Sequence, residues 1–214
     1  MKTDKPDYQK KMEAILKELE ADGRTGENAP ALLLHSCCAP CSSAVIAALS
    51  GFFRITVFYY NPNIDSAEEY NKRAGEQERF LALMPSVHPI GFVDALYTPE
   101  DYSEEAKAFA EEKEGGERCT FCYSIRLKKT AEMAQKLHSD FFCSTLTTSP
   151  YKDAQRVNTI GSGLEKKFGV RWLWSDFKKK GGYQRSIELS KNYGLYRQSY
   201  CGCSYSQAES ERRR

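Results

Sequence analysis

Ala31-Leu32-Leu33-Leu34-His35-Ser36-Cys37-Cys38-Ala39-Pro40-Cys41 is the stretch that decides the fold. Its first five residues are a short apolar run, the pattern of a strand buried on both faces. A loop of small residues and thiols follows, and the alanine-rich residues 42–49 read as a helix stopped by Ser50-Gly51. Pro40 suits the first turn of that helix, where a missing N–H is no loss. A strand, a loop of metal-binding side chains and a helix, in that order, open an α/β unit.

Working outward, Tyr8, Met12, Ile15, Leu16 and Leu19 recur at helical spacing and predict an amphipathic helix over residues 7–22. Further strands are expected over residues 54–60, 87–92, 141–145 and 170–174. Helices over 66–84, 99–114, 122–138 and 150–168 separate them. A basic, glycine-containing loop over 175–183 precedes a last helix to residue 193, and Gly161-Ser162-Gly163 reads as a helix cap or turn. The alternation implies an α/β fold, a parallel sheet with helices on both faces. The expected organisation is an N-terminal helix and loop (1–30), a catalytic α/β domain carrying the thiols (31–206) and a charged tail (207–214).

At 214 residues, with 41% hydrophobic and 28% charged, the chain has the composition of a soluble globular protein. A formal charge of +2 points to no class of partner. Lys166-Lys167, Lys178-Lys179-Lys180 and Arg212-Arg213-Arg214 read individually as solvated charge. No apolar run approaches the roughly 20 residues that span a bilayer, and residues 1–7 are too polar for a signal peptide. A cytoplasmic location is therefore expected, where a reducing environment favours metal ligation or redox catalysis over structural disulfides.

All but one of the eight cysteines fall in three short clusters: Cys37-Cys38-Ala39-Pro40-Cys41, Cys119-Thr120-Phe121-Cys122 and Cys201-Gly202-Cys203. The first two are expected just before helices, where the orphan N–H groups and the dipole favour thiolates. Cys143, inside an apolar strand, reads as a buried free thiol. Structural zinc could use Cys38, Cys41, Cys119 and Cys122 but would leave Cys37, Cys201 and Cys203 idle. An iron–sulfur cluster plus a second thiol centre uses them all. A zinc-stabilised nucleic-acid-binding module and a metal-free thiol–disulfide oxidoreductase are the competing classes. No phosphate loop and no GxGxxG follows a strand, so no nucleotide cofactor site can be argued. His35 is a candidate support for the first cluster.

His35-Ser36-Cys37-Cys38-Ala39-Pro40-Cys41-Ser42, Tyr60-Asn61-Pro62-Asn63-Ile64, Glu69-Tyr70 with Arg73, Arg118-Cys119 with Cys122-Tyr123 and Arg126-Leu127, Thr145-Leu146-Thr147 with Ser149-Pro150-Tyr151-Lys152, and Tyr200-Cys201-Gly202-Cys203 occur in this order. Together they resemble the QueH-type epoxyqueuosine reductases. The resemblance runs over residues 31–206 and leaves out the N-terminal helix and the arginine tail. It implies a Rossmann-like, adenine-nucleotide-hydrolase-like fold, and the two-electron reduction of epoxyqueuosine to queuosine at the wobble position of tRNA, without cobalamin. It further implies a [4Fe–4S] cluster on Cys37, Cys38, Cys119 and Cys122. Cys201 and Cys203 are then either a redox-active dithiol/disulfide or, with Cys41, ligands to an adjacent mononuclear iron.

That reaction needs an external electron donor and proton donors, for which Tyr59, Tyr60, Tyr200 and Asp65 are the candidates by position. It also needs a grip on RNA phosphates and a splayed anticodon base. Lys178, Lys179, Lys180, Tyr183 and Arg185 combine charge, flexible glycines and an aromatic ring, and are the expected RNA contacts.

Overall fold

The computed structural model describes residues 6–212. The first five residues of the expected N-terminal segment, and Arg213 and Arg214 of the arginine tail, lie outside the described residues. Five parallel strands form one sheet in the order β3-β2-β1-β4-β5. They are β1 (Ala31–His35), β2 (Arg54–Tyr59), β3 (Gly91–Asp94), β4 (Phe141–Ser144) and β5 (Arg171–Trp172). In register, His35 pairs with Phe58 on one side and Ser144 on the other. Leu32, Leu33 and Leu34 are buried from both faces, as their continuous apolar run requires.

The helices are α1 (Tyr8–Ala21), α2 (Ala39–Leu49), α3 (Ala67–Leu83), α4 (Glu100–Ala106), α5 (Glu117–Lys136), α6 (Ala154–Phe168), α7 (Gly182–Asn192) and α8 (Ser204–Arg212). Local chemistry fixes several ends. Asp7, Ser66 and Asp153 cap α1, α3 and α6 by accepting first-turn N–H groups. Gly169 ends α6 in the left-handed conformation at φ 73°. Among the described residues no helix is long and apolar enough to cross a membrane.

Several boundaries differ from the sequence-based expectation. The third strand begins at Gly91, because Pro89 has no N–H for the ladder and pairing starts only beyond it. The helix expected over 99–114 stops after α4 and a 3₁₀ turn, Lys107–Phe109. Arg118 draws the carbonyls of Phe109, Ala110 and Glu112 onto its guanidinium, and so competes for groups that would have continued the helix. Both α2 and α5 start earlier than expected, so Cys41 and Cys119 lie within first turns rather than ahead of them, and Cys122 lies in the second turn of α5. Gly161 lies inside α6 under the Trp172 ring, not at a cap. Residues 204–212, expected mainly as tail, form α8.

The sheet order reverses at β1. The chain runs outward from it to β2 and β3, then returns to β4 and β5 on its other side. A crevice opens at the carboxyl ends of β1 and β4, the place where open α/β sheets bind ligands. Cys37 and Cys38 leave β1 into this crevice, and the 3₁₀ turn Thr145–Thr148 leaves β4 beside them.

Candidate metal centre

Each cysteine cluster sits at a helix N-terminus. Cys38 is the N-cap of α2, Cys119 lies in the first turn of α5 with Cys122 in its second, and Cys203 immediately precedes α8. Backbone N–H groups reach two of the sulfurs: Gly115 donates to Cys119 Sγ at 3.2 Å and Ser206 to Cys203 Sγ at 3.4 Å. Such N–H groups and the dipoles behind them stabilise thiolate charge.

The sulfurs of Cys37, Cys38 and Cys41 lie within 4.8 Å of one another, a group able to hold a metal. Cys37 Sγ is 3.9 Å from Cys38 Sγ and 3.5 Å from Thr145 Oγ1. Hydrogen bonding from the Cys38 and Cys41 thiols holds Cys37 well below the usual thiol range, against the effect of burial. Sharing with Cys37 pushes Cys38 up to about 12, and Cys41 is raised as well. A cavity of about 380 Å³ opens onto these three thiols and onto Cys201. Cys203 faces the other way, packed with Cys122 and Tyr102 and bordering a second cleft of about 270 Å³. The eight cysteines are all free thiols.

Cations surround this sulfur-rich centre. Arg126 lies one helical turn after Cys122, is fully buried, and contacts Cys122 Sγ at 3.7 Å while donating to Asn61 Oδ1. Burial works against its charge, but Cys122 and Cys37 outweigh that and keep it cationic. His35 lies beneath. Its Nδ1 is 2.8 Å from the Ser144 hydroxyl and its Nε2 is 3.1 Å from the Tyr60 carbonyl. Burial and the Arg126 charge lower the His35 pKa to about 3, so the ring is neutral. Arg126 Nε also reaches its Nε2 at 3.4 Å, so the imidazole lies directly beneath the guanidinium.

The third cluster is held from α3 and the loop before it. Arg73 donates to the Cys201 carbonyl at 3.1 Å, Asp65 N–H to the Gly202 carbonyl at 3.0 Å, and Tyr196 N–H to Glu76 at 2.7 Å. Around the same place, Tyr59 Oη, Asn63 Oδ1, Arg73 Nη2 and Gln77 Nε2 are buried with no hydrogen-bond partner. Buried polar groups are otherwise almost always paired. Tyr59 and Arg73 both lie within reach of the Cys38 sulfur, and the Gln77 amide oxygen accepts from Ser36 and Ser42, which flank the first cysteine motif. Orphaned donors beside thiols fit a sulfide- or thiolate-bearing group that accepts weak N–H and O–H hydrogen bonds.

The family profile described as Epoxyqueuosine reductase QueH matches residues 32–209. Relatives of the same name are 42% identical over 178 residues in Streptococcus pyogenes serotype M1 (82% of this chain, 70% of the relative). In Staphylococcus epidermidis the identity is 39% over 209 residues (96% and 86%), and in Thermotoga maritima 34% over 184 residues (83% and 91%). This chain belongs to the QueH family.

Within this QueH-family chain the basic segment after β5 is occupied internally. Lys178 pairs with Asp176 at 2.7 Å, Lys179 with Asp7 at 3.3 Å, Lys180 with Glu13, and Arg185 with Glu188 at 3.1 Å. Tyr183 differs, since its side of α7 lines the cavity. The candidate proton donors are engaged elsewhere: Tyr60 donates to Asp101 at 2.6 Å and Tyr200 to Asp65 at 3.4 Å. Tyr59 is fully buried. Three residues of the site carried no expected role. Arg126 and Lys152 stood in the motifs that carry the resemblance but without a role, and Lys152 and Gln198 meet the thiols through tertiary contacts that sequence spacing does not encode.

Proposed function

We propose that this chain reduces epoxyqueuosine to queuosine in the wobble position of tRNA, taking electrons from an external one-electron donor. The observation that carries this reading is the cavity at the β1–β4 crevice, open to Cys37, Cys38, Cys41 and Cys201, in a chain of the QueH family. Cys37, Cys38, Cys119 and Cys122 would hold a [4Fe–4S] cluster, with Cys41, Cys201 and Cys203 as the second thiolate element for an adjacent iron. The helix N-termini behind each cluster, the orphaned donors and the buried cations support a group of that charge. When bound, such a group supplies single electrons and a Lewis acid.

The chain's own residues do the remaining work. A cavity of about 380 Å³ takes one flipped nucleotide but not a duplex, which suits the single-stranded anticodon loop. Tyr151, 68% exposed, stands at its rim with Tyr183 and Tyr200, and Arg197 adds charge, so bases have rings to stack on and a phosphate has a partner. Lys178–Lys180 flank this rim and reach RNA only by exchanging their present carboxylate partners. The His35–Arg126–Asn61 layer fixes the floor beneath the thiols.

Anaerobic purification followed by iron and acid-labile sulfide analysis tests the cofactor. Stoichiometric iron and sulfide with a brown chromophore is the expected result. Colourless protein with one zinc and no sulfide would favour the zinc-stabilised module instead.

A further inference from the structure

The reduction just proposed leaves one chemical need unassigned. Both C–O bonds of the epoxide must break, a C=C bond must form, and the oxygen must leave as water. The external donor supplies the electron pair, and solvent supplies both protons. As the first C–O bond breaks, negative charge gathers on the oxygen. A positioned donor is worth most there.

The tyrosines that position alone suggested do not meet this need. The Tyr60 and Tyr200 hydroxyls are spent on Asp101 and Asp65, and Tyr59 is sealed beneath the sheet end. Lys152 is placed differently. It lines the cavity together with Cys37, Cys41 and Cys201, on the turn between β4 and α6. Among the described residues no carboxylate lies within ion-pair distance of its ammonium, whereas Lys178, Lys179 and Lys180 nearby are all paired. Its backbone is anchored at both ends, with its N–H on the Ser149 carbonyl at 3.2 Å and its own carbonyl accepting Lys178 Nζ at 3.5 Å. Asp153, the next residue, caps α6. An unpaired ammonium on a fixed turn is thus presented to the reacting space.

Gln198 lines the same cavity, with its amide toward Cys38 and its Oε1 buried without a partner. Lys152 thus meets a cavity whose other polar side chains, Glu114, Arg197 and Gln198 aside, are thiols and hydroxyls. We propose that Lys152 is a catalytic residue that donates a hydrogen bond from its ammonium to the epoxide oxygen. This assignment rests on the epoxide-reductase reading above.

The rival role for Lys152 is to neutralise thiolates while metal is held. Lys152→Gln and Lys152→Arg separate the two. Both are loaded anaerobically and compared with wild type for iron and sulfide content, for single-turnover conversion of epoxyqueuosine-tRNA, and for affinity toward queuosine-tRNA, which lacks the epoxide oxygen. Lys152→Gln should keep its iron and its affinity for the product while turnover falls by about 10²–10³-fold, the usual cost of one lost oxyanion donor. Lys152→Arg should recover part of that loss. Unchanged turnover in Lys152→Gln, or loss of iron in step with turnover in both variants, overturns the proposal. If wild type itself fails to convert epoxyqueuosine, the functional reading falls and takes this one with it. If wild type converts it and Lys152→Gln matches, only this one falls.

Discussion

Arg73 Nη1 donates to the Cys201 carbonyl at 3.1 Å, tying α3 to the third cysteine cluster across the molecule. Arg73 is 1% exposed and its Nε meets Glu69 at 2.6 Å, so the residue that orients the Cys201-Gly202-Cys203 backbone is itself locked. Removing one member of a buried pair leaves the other charge stranded. Arg73→Met should lower stability by about 3 kcal/mol in urea unfolding. It should also lower iron content, because Cys201 loses its anchor. Full iron loading in this variant would show that the anchor does not govern the site.

Gly202 is the residue that lets the two flanking thiols diverge. Its φ of 132° is one that side-chain-bearing residues avoid, and an added Cβ would lie 3.1 Å from Ile64 and 3.3 Å from Arg73 Nη1. Gly202→Ala is expected to cost about 1–3 kcal/mol by chemical denaturation and to disturb metal uptake more than stability. A variant with wild-type metal affinity would contradict this.

Gly161 makes a purely structural prediction. An added Cβ there would sit inside the Trp172 ring, whose Nε1–H donates to Asn158 Oδ1 at 2.9 Å. Gly161→Ala should destabilise by about 1–3 kcal/mol despite the better helix propensity of alanine, and should shift Trp172 fluorescence. A stabilised variant would mean that the α6–β5 contact is looser than described.

Acid should loosen the same C-terminal segment. Hydrogen bonding from Arg79, with help from the Tyr196 N–H, lowers the Glu76 pKa below the usual carboxylate value. A depressed folded-state pKa contributes stability above the unfolded value and loses it as pH falls through the folded one. Between about pH 5 and about pH 3, wild type should therefore lose more stability than Glu76→Gln. Parallel pH profiles for the two proteins would rule out the linkage.

Much of this was legible from local pattern. The apolar run Ala31–His35 and the thiols after it placed a buried strand and a loop of thiols, and the structure has the strand with Cys37, Cys38 and Cys41 gathered after it. The α/β alternation held because period and turn residues are local signals. The third strand slipped because an apolar run was weighed without the missing N–H of Pro89. The helix over 99–114 broke because Arg118, distant from its middle, takes the carbonyls that local propensity assigns to the helix. The lysine run read as an RNA surface, and its partners Asp7, the N-cap of α1, and Glu13 within α1 come from a distant part of the chain that spacing does not reveal. Arg73, Gln198 and Lys152 reach the thiols only through the fold, so no spacing rule could have named them together.

The central claim is tested most directly by incubating the anaerobically loaded protein with epoxyqueuosine-tRNA and a low-potential one-electron reductant, then digesting the RNA and weighing its nucleosides by mass spectrometry. The account predicts that the epoxyqueuosine nucleoside loses one oxygen atom and becomes queuosine, and that Cys37→Ala abolishes this. Unchanged epoxyqueuosine with iron-loaded protein, or full conversion by Cys37→Ala, would contradict it.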